Sequence, residues 1–89
     1  MQTIWKYPVP VADSFTILMP KGARFLTVQT QKTEPQMWAL VDRDQPLEER
    51  RFHLLGTGHS DGDRALGQYV GTFQVADGTL IFHLFEAAT

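Results

Sequence analysis

The sequence predicts an all-β fold, a small antiparallel β-sandwich or barrel-like sheet of about six to seven short strands. Five prolines and seven glycines divide the 89 residues into short apolar segments, each about as long as a strand. No window keeps the 3.6-residue spacing of apolar side chains that an amphipathic helix requires. Apolar and polar residues instead alternate within several segments, as they do in strands with one face toward a core.

Seven segments read as strands, and the chain is expected to form one domain over residues 1–89. The predicted strands are 3–8, 14–19, 24–31, 36–42, 50–56, 69–75 and 79–86. Within 36–42, Trp38 and Leu40 are expected on the face opposite Ala39. Residues 59–67 form the longest polar stretch, which has room for one short helical turn.

Two reversals have recognisable turn chemistry. The Asp-Gly pair at 77–78 is typical of a two-residue type I′ hairpin, because both central residues need positive φ. The register that follows places Thr72 opposite His83 and Val70 opposite Phe85. Residues 19–23 contain the second reversal, with proline expected at the second turn position and glycine after it.

The predicted last strand, 79–86, is apolar on both sides. Phe82 and Leu84 lie on one face, and Ile81 and Phe85 lie on the other. A strand with one solvated face would alternate with more polar residues. We therefore expect the second face to be covered either by another sheet of the same chain or by a second subunit, which makes a homo-oligomer the expected state.

Composition and charge argue against several functional classes. The net charge of −2 is unsuited to a nucleic-acid polymer, and the one adjacent basic pair, Arg50-Arg51, follows Glu48-Glu49. No apolar run approaches the roughly 20 residues that a membrane helix needs, so no membrane partner is expected. The chain has no cysteine, which excludes disulfides and thiolate metal sites and suits a reducing cytoplasm.

The segment Gly56-Thr57-Gly58-His59 is the first candidate binding site. Glycines let backbone amides approach an anion closely, threonine adds a hydroxyl donor and histidine adds a charge-assisted hydrogen bond. These are the groups that a phosphate requires. The segment lacks the lysine and following helix of a P-loop, so a simple turn or strand exit is the alternative interpretation.

A second group of candidate ligand-binding residues lies near the amino end. Trp5 and Tyr7 are aromatic platforms on which a base could stack, and Lys6 places a cation between them. Ordinary packing is the alternative interpretation for these aromatic residues. Arg51 is the further candidate for a phosphate contact.

The sequence gives little support to catalysis or to a metal site. His59, Asp61 and Asp63 do not follow the EF-hand pattern, so we predict no metal and no cofactor. Ser60 directly follows His59, and their side chains would normally diverge, so no catalytic residue is assigned. His83 opposite Thr72 is expected to be a hydrogen-bonded structural pair.

Six short motifs occur along nearly the whole chain: IWKY at 4–7, MPKGA at 19–23, WALVD at 38–42, GTGH at 56–59, YVGTF at 69–73 and FHLFE at 82–86. In this order and spacing they resemble a family of small uncharacterised proteins of bacteriophages and prophages. The resemblance implies synthesis inside a host cell and transfers no established activity. Some unrelated phage proteins of this size counter host defence by trapping a nucleotide signal in an oligomer.

These observations favour a non-enzymatic accessory protein, located in the host cytoplasm, that sequesters a phosphate-bearing, nucleotide-like ligand. One alternative is an inhibitor or adaptor that binds a host protein through a strand edge or through the Trp5–Tyr7 segment. Another is a virion-associated structural protein, in which Gly56–His59 would be only a turn. A small hydrolase is the fourth hypothesis, with His59 as its leading residue.

Overall fold

All seven predicted strands are present in the computed structural model, which describes residues 1–88. The strands are β1 (Gln2–Pro8), β2 (Ser14–Pro20), β3 (Arg24–Gln31), β4 (Glu34–Asp42), β5 (Leu47–Gly56), β6 (Gln68–Val75) and β7 (Leu80–Glu86). The all-β prediction is therefore confirmed. The main differences in boundaries are that β4 begins two residues earlier than predicted and β5 begins three residues earlier.

The strands form two antiparallel sheets. One has three strands in the order β1-β4-β3, and the other has four in the order β2-β5-β7-β6. The Cα atoms extend over 40 × 31 × 15 Å, the thickness of two stacked layers. The sandwich alternative is thus the one that the chain adopts. β3 also lies beside β6, where the Thr30 hydroxyl donates to the carbonyl of Gln74 and joins the two sheets at one edge.

No helix is present in residues 1–88, and the helical turn predicted within 59–67 is wrong. This segment consists of turns and irregular backbone. Within it, Gly62, Asp63 and Gly67 all have positive φ, a conformation that a right-handed helix cannot contain. The repeated left-handed residues therefore prevent even one helical turn.

The β6–β7 hairpin follows the predicted register near its turn and departs from it at the far end. Thr72 pairs with His83 as expected. The reversal itself is longer than the predicted two-residue turn, because Ala76 has positive φ as well as Asp77 and Gly78, and the ladder begins at Val75 and Leu80. A β-bulge after Tyr69 then shifts the register, so Tyr69 and not Val70 pairs with Phe85. The predicted Val70–Phe85 pair is wrong because the bulge inserts one extra residue.

The second reversal is confirmed, but its proline occupies a different position. The amide of Ala23 donates to the carbonyl of Pro20 at 3.1 Å, so Pro20 is the first residue of this turn, whereas the prediction placed it second. Gly22, with φ of 85°, supplies the left-handed residue. This turn carries the chain from β2 in one sheet to β3 in the other.

The core lies between the two sheets. Its fully buried side chains include Met37, Ala39 and Val41 of β4, together with Phe52 of β5 and Leu84 of β7. Phe52 is in contact with two further rings: it stacks on Phe15 and meets Phe25 edge-on, with ring centroids about 5.5 Å apart. The inward residues alternate along each strand, as the sequence pattern predicted.

The two faces of β7 have different environments. The face with Phe82 and Leu84 is turned toward the three-stranded sheet. Ile81, His83 and Phe85 lie on the outer face, where they are only partly buried and no further sheet covers them. The expectation that this chain's own second sheet covers this face is therefore wrong, because that sheet lies on the opposite side.

The loops collect at the two ends of the sandwich. The His59 end contains residues 9–13, the β3–β4 turn at 32–33, residues 57–64 and the hairpin tip at 76–79. The Arg50 end contains residues 20–23 and 43–46, Gly67 and residues 87–88. Hydrogen bonds from Leu54 to Asp13 and from Thr57 to Ile81 hold the first set together, and one from Lys21 to Pro46 joins part of the second.

Candidate functional site

Gly56-Thr57-Gly58-His59 is a β-turn at the end of β5. The amide of His59 donates to the carbonyl of Gly56 at 3.0 Å, and the amide of Thr57 donates to Ile81 at 3.0 Å. Gly58, with φ of 84°, provides the left-handed residue of the turn. Of the amides at 56–58 that were expected to cradle an anion, that of Thr57 is thus occupied inside the protein.

The imidazole of His59 lies directly against the α-carbon of Gly56. A β-carbon added to Gly56 would be 2.6 Å from Nδ1 of His59, which is closer than such atoms approach in proteins. Glycine is therefore required at position 56 if the imidazole is to lie there. The ring borders two neighbouring cavities, of about 360 and 270 Å³.

Arg64 fixes the 57–64 segment to the sheet. Its guanidinium donates to the carbonyls of Asp61 and Leu54, each at 2.9 Å, and to the carbonyl of Asp13. All three acceptors are neutral backbone groups. No carboxylate lies within ion-pair distance of Arg64 in the part of the chain that the structure describes. Its positive charge is thus held in place without an anionic partner.

The larger cavity is a groove, here called the loop groove, between residues 11–13 and 59–64. Its floor is formed by apolar side chains of β5 and β7, and its rim carries His59, Ser60 and Arg64 as well as two acidic residues, Asp13 and Asp61. Asp61 accepts the amide of Asp63 at 2.9 Å through its side chain. The groove therefore combines an unpaired cation with hydroxyl and carboxylate groups, a mixture that suits a polar ligand with both anionic and donor groups.

Arg51 is not part of this groove. It lies on the outer face of the four-stranded sheet, opposite Thr16, whereas the site that a Gly56 side chain would occupy is on the inner side. Alternate residues of a strand point to opposite faces, and positions 51 and 56 differ by an odd number. The prediction that Arg51 and the Gly56–His59 turn share a ligand is not supported within one chain.

Trp5, Lys6 and Tyr7 are also separated from the turn, since they belong to β1 in the other sheet. Trp5 pairs with Ala39 and Tyr7 with Met37, which places both residues on the inner face of the sheet. Tyr7 packs against the core, whereas Trp5 is 38% exposed. The Tyr7 hydroxyl is buried without a hydrogen-bond partner, and burial raises the pKa of this phenol. Packing, the alternative interpretation, thus describes Tyr7 better than base stacking, whereas the ring of Trp5 is open to a partner.

Lys6 points away from these two rings. Its ammonium group donates to the side-chain oxygen of Gln31 at 2.8 Å on the outer face of the three-stranded sheet. It borders a cavity of its own, of about 450 Å³. The eight residues predicted as one ligand site are therefore distributed over at least three surfaces.

Sequence reasoning missed a hydrogen-bonded chain on the outer face of the four-stranded sheet. The Thr57 hydroxyl bonds Nε2 of His83 at 2.8 Å, Nδ1 of His83 bonds the Thr72 hydroxyl at 2.9 Å, and Thr72 bonds the Tyr69 hydroxyl at 2.7 Å. The Thr72–His83 pair confirms the structural role predicted for His83. The contact with Thr57 requires β5 beside β7, which no turn motif specifies.

A second hydroxyl–imidazole pair joins β2 to β5. Ser14 Oγ lies 2.7 Å from Nδ1 of His53, and the two residues face each other across the strands. Burial, followed by the nearby charges of Arg64 and Arg51, lowers the pKa of His53. The imidazole is therefore held in its neutral form to lower pH than a free histidine.

Residues 1–88 contain no group of three or more histidine, aspartate or glutamate side chains placed to hold a metal ion. Within the same residues, no helix is long and apolar enough to cross a bilayer.

Comparison with known proteins gives one match. No curated protein matches the chain, and no solved structure matches it. A family model described as "Domain of unknown function (DUF7352)" matches residues 1–89. The chain therefore belongs to the DUF7352 family.

Proposed function

We propose that the protein is a small, non-enzymatic binding protein whose loop groove takes a phosphate-bearing, nucleotide-like ligand. The motif resemblance to phage proteins supports an accessory role in the cytoplasm of a host cell, where sequestering such a ligand would counter a nucleotide-based defence signal. Of the two phosphate contacts predicted from the sequence, His59 and Arg51, this proposal keeps His59. Arg64 replaces Arg51 as the cation.

The unpaired guanidinium of Arg64 carries the proposal. Arginine is suited to phosphate because its planar donors can bond two oxygens at once. In this protein the guanidinium has three carbonyl contacts, and the fork has five N–H groups, so two remain for a ligand. Because only neutral carbonyls hold the guanidinium, its positive charge can attract a phosphate. A carboxylate partner would neutralise that charge.

The other polar groups on the rim of the loop groove also suit a nucleotide-like ligand. His59 has ring nitrogens that can donate to a phosphate oxygen, and Asp13 and Ser60 can accept or donate to sugar hydroxyls. The volume, about 360 Å³, is near the lower end of the range for small-molecule sites, which favours a mononucleotide-sized ligand. The two carboxylates on the rim disfavour a ligand that is anionic throughout.

The test is isothermal titration calorimetry with a panel of nucleotide second messengers and plain mononucleotides. Arg64→Gln is expected to weaken binding of the responding nucleotide by about tenfold or more, because one charged hydrogen bond is lost. His59→Gln should weaken it less. Arg24→Gln, which removes an exposed arginine at the Arg50 end, is the matched control and should bind as the wild type does.

Flat titrations across the panel at high protein concentration would contradict the proposal. Equal affinity of Arg64→Gln and Arg24→Gln would also contradict it. If Arg64→Gln fails to fold, His59→Gln and Ser60→Ala provide the comparison. Recovery of the bound nucleotide unchanged, as measured by mass spectrometry after long incubation, is expected for a binding protein, and a converted product would indicate an enzyme.

The proposal includes a homo-oligomer formed through the outer face of the four-stranded sheet. Ile81 and Phe85 lie there beside Tyr69, whose ring meets Phe85 edge-on at 5.8 Å and is 56% exposed. Phe85→Asp should yield monomers by light scattering, whereas Leu26→Asp on the other sheet should not. A monomeric wild type would contradict this part of the proposal.

A host protein is the alternative occupant of this face. Its support is that exposed apolar side chains, including Leu18 and Tyr69, continue along the outer face of the sheet. Capture of one stoichiometric host protein by the wild type, lost in Phe85→Asp and kept in Leu26→Asp, would favour the adaptor hypothesis over the oligomer.

A further inference from the structure

A separate cavity lies at the His59 end, on the outer face of the three-stranded sheet. Its volume is about 450 Å³. It is bordered by the end of β1, the β3–β4 turn and the start of β4, and its lining residues are Lys6, Gln31, Lys32, Thr33, Glu34 and Gln36. None of these residues lines the loop groove, so the two cavities are independent.

Gln36 is the unusual member of this lining. Its register partner is Pro8, which places Gln36 on the outer face, and yet it is only 6% exposed. The hydrogen bond from Lys6 to Gln31 runs between β1 and β3, the two strands on either side of β4, and helps to cover it. Its side-chain oxygen has no hydrogen-bond partner. A buried acceptor without a partner costs about 1–3 kcal/mol, so it marks a place where a donor is missing.

The charges around Gln36 favour an anion. Lys6 and Lys32 contribute two ammonium groups, and neither forms an ion pair in the part of the chain that the structure covers. Glu34 contributes one carboxylate, which leaves the lining with a net charge of +1. A ligand for this pocket must therefore be anionic and must also carry a hydrogen-bond donor for Gln36.

From these contacts we infer that the pocket binds a protonated tetrahedral oxyanion, namely hydrogen phosphate or a singly protonated phosphomonoester. The ammonium group of Lys6 leaves Gln31 to donate, together with that of Lys32, to the charged oxygens of the ligand. This movement uncovers the side-chain oxygen of Gln36, which is fully buried in the free protein. The P–OH group of the ligand donates to this oxygen. Sulfate has the same shape and charge but no proton at neutral pH, so it would leave the Gln36 oxygen unpaired and be rejected.

The experiment compares inorganic phosphate with sulfate at pH 8.0, where phosphate is mainly HPO₄²⁻ and has the same charge as sulfate. Ionic strength is held constant, and backbone amide chemical shifts are followed in a ¹H–¹⁵N NMR titration. Phosphate is expected to shift the amides of Lys6, residues 31–34 and Gln36, with an affinity about tenfold or more above that of sulfate. Gln36→Leu should abolish the preference for phosphate. Lys6→Gln should weaken both ions. Lys21→Gln, an exposed lysine at the Arg50 end, is the control and should change neither.

Equal affinities for phosphate and sulfate in the wild type would overturn the inference, and this result needs no variant to fold. Phosphate shifts confined to residues 56–64 would also overturn it, since they would report the loop groove instead. Conversely, failure of nucleotides at the loop groove would leave the phosphate–sulfate comparison unaffected, so the two proposals can be separated.

Discussion

The two ends of the sandwich hold their half-buried arginines, Arg50 and Arg64, in different ways. At the Arg50 end, the guanidinium of Arg50 pairs with both oxygens of Glu86, donates to the carbonyl of Ala23 and lies 4.8 Å from the ring centre of Phe25. The hydrogen bond to Glu86 is the main cause that raises the pKa of Arg50. Every strong polar group in this cluster is satisfied.

At the His59 end the corresponding cations have no anionic partner. Arg64 contacts only neutral carbonyls, Lys6 and Lys32 form no ion pair within residues 1–88, and the oxygen of Gln36 is buried and unpaired. Native proteins pair most buried polar groups, so the unpaired oxygen of Gln36 requires an explanation. The comparison supports the proposals above, in which the Arg50 end stabilises the fold and the His59 end binds ligands.

The largest effect is expected from Gly67→Ala, at the Arg50 end. The new β-carbon would lie 2.0 Å from the carbonyl oxygen of Glu86, and the residue would also have to keep φ at +90°. Main-chain atoms cannot move away as a side chain can, so we expect a loss of about 3 kcal/mol or more in the free energy of unfolding. Urea denaturation measures it, and a loss below about 1 kcal/mol would contradict the difference between the ends.

Arg50→Leu should have the next largest effect. It leaves Glu86, which is only 22% exposed, without its partner, and we expect destabilisation of about 2 kcal/mol, below the range for fully buried pairs. The double variant Arg50→Leu/Glu86→Leu should recover part of this loss. A single variant as stable as the wild type in urea would show that the pair does not stabilise this end.

Gly56→Ala is the matched glycine substitution at the His59 end. The added methyl group meets the imidazole of His59, which can rotate away, so we expect a loss of stability below about 1 kcal/mol. The displaced ring should nevertheless weaken ligand binding at the loop groove. Paired urea and calorimetry measurements test this, and a loss of stability equal to that of Gly67→Ala would contradict it.

The smallest effect concerns pH. The folded protein lowers the pKa of His53, so the unfolded chain, with a histidine pKa near 6.5, takes up the proton first. The contribution of neutral His53 to the free energy of unfolding is therefore complete above about pH 6.5. It is lost as the pH falls from there toward the pKa of His53 in the folded protein. Unfolding between pH 7 and 5.5 should therefore show less pH dependence in His53→Gln than in the wild type. His59→Gln serves as the control, and identical profiles for His53→Gln and wild type would refute this assignment.

The strands and most turns were predictable because their signals are local. Alternation placed Trp38 and Leu40 opposite Ala39, and the Asp-Gly pair specified the hairpin and its Thr72–His83 register. The bulge at residues 69–71 was not predictable. Gly71 lies against Val28 of the other sheet, where a β-carbon would come within 2.5 Å, so packing between the sheets fixes this irregularity.

The candidate site was only partly predictable, because residues that belong together in the sequence are directed to different surfaces. His59 and Lys6 border two separate cavities, Arg51 lies on the outer face, and Tyr7 turns toward the core, whereas Trp5 is exposed. Arg64 was not among the site residues predicted from the sequence. Its role depends on carbonyls of residues 13 and 54, which only the folded chain brings to it.

The sequence by itself determined the strand content, the position of the β6–β7 reversal and which side of most strands is apolar, since these depend on neighbours within a few residues. The tertiary structure decided which strands share a sheet, which face of β7 is covered and which cations remain unpaired. Those outcomes depend on contacts between residues far apart in the chain, such as Arg50 with Glu86 and Arg64 with Asp13. Pairing between distant strands is a property of the whole packed core, and no short motif encodes it.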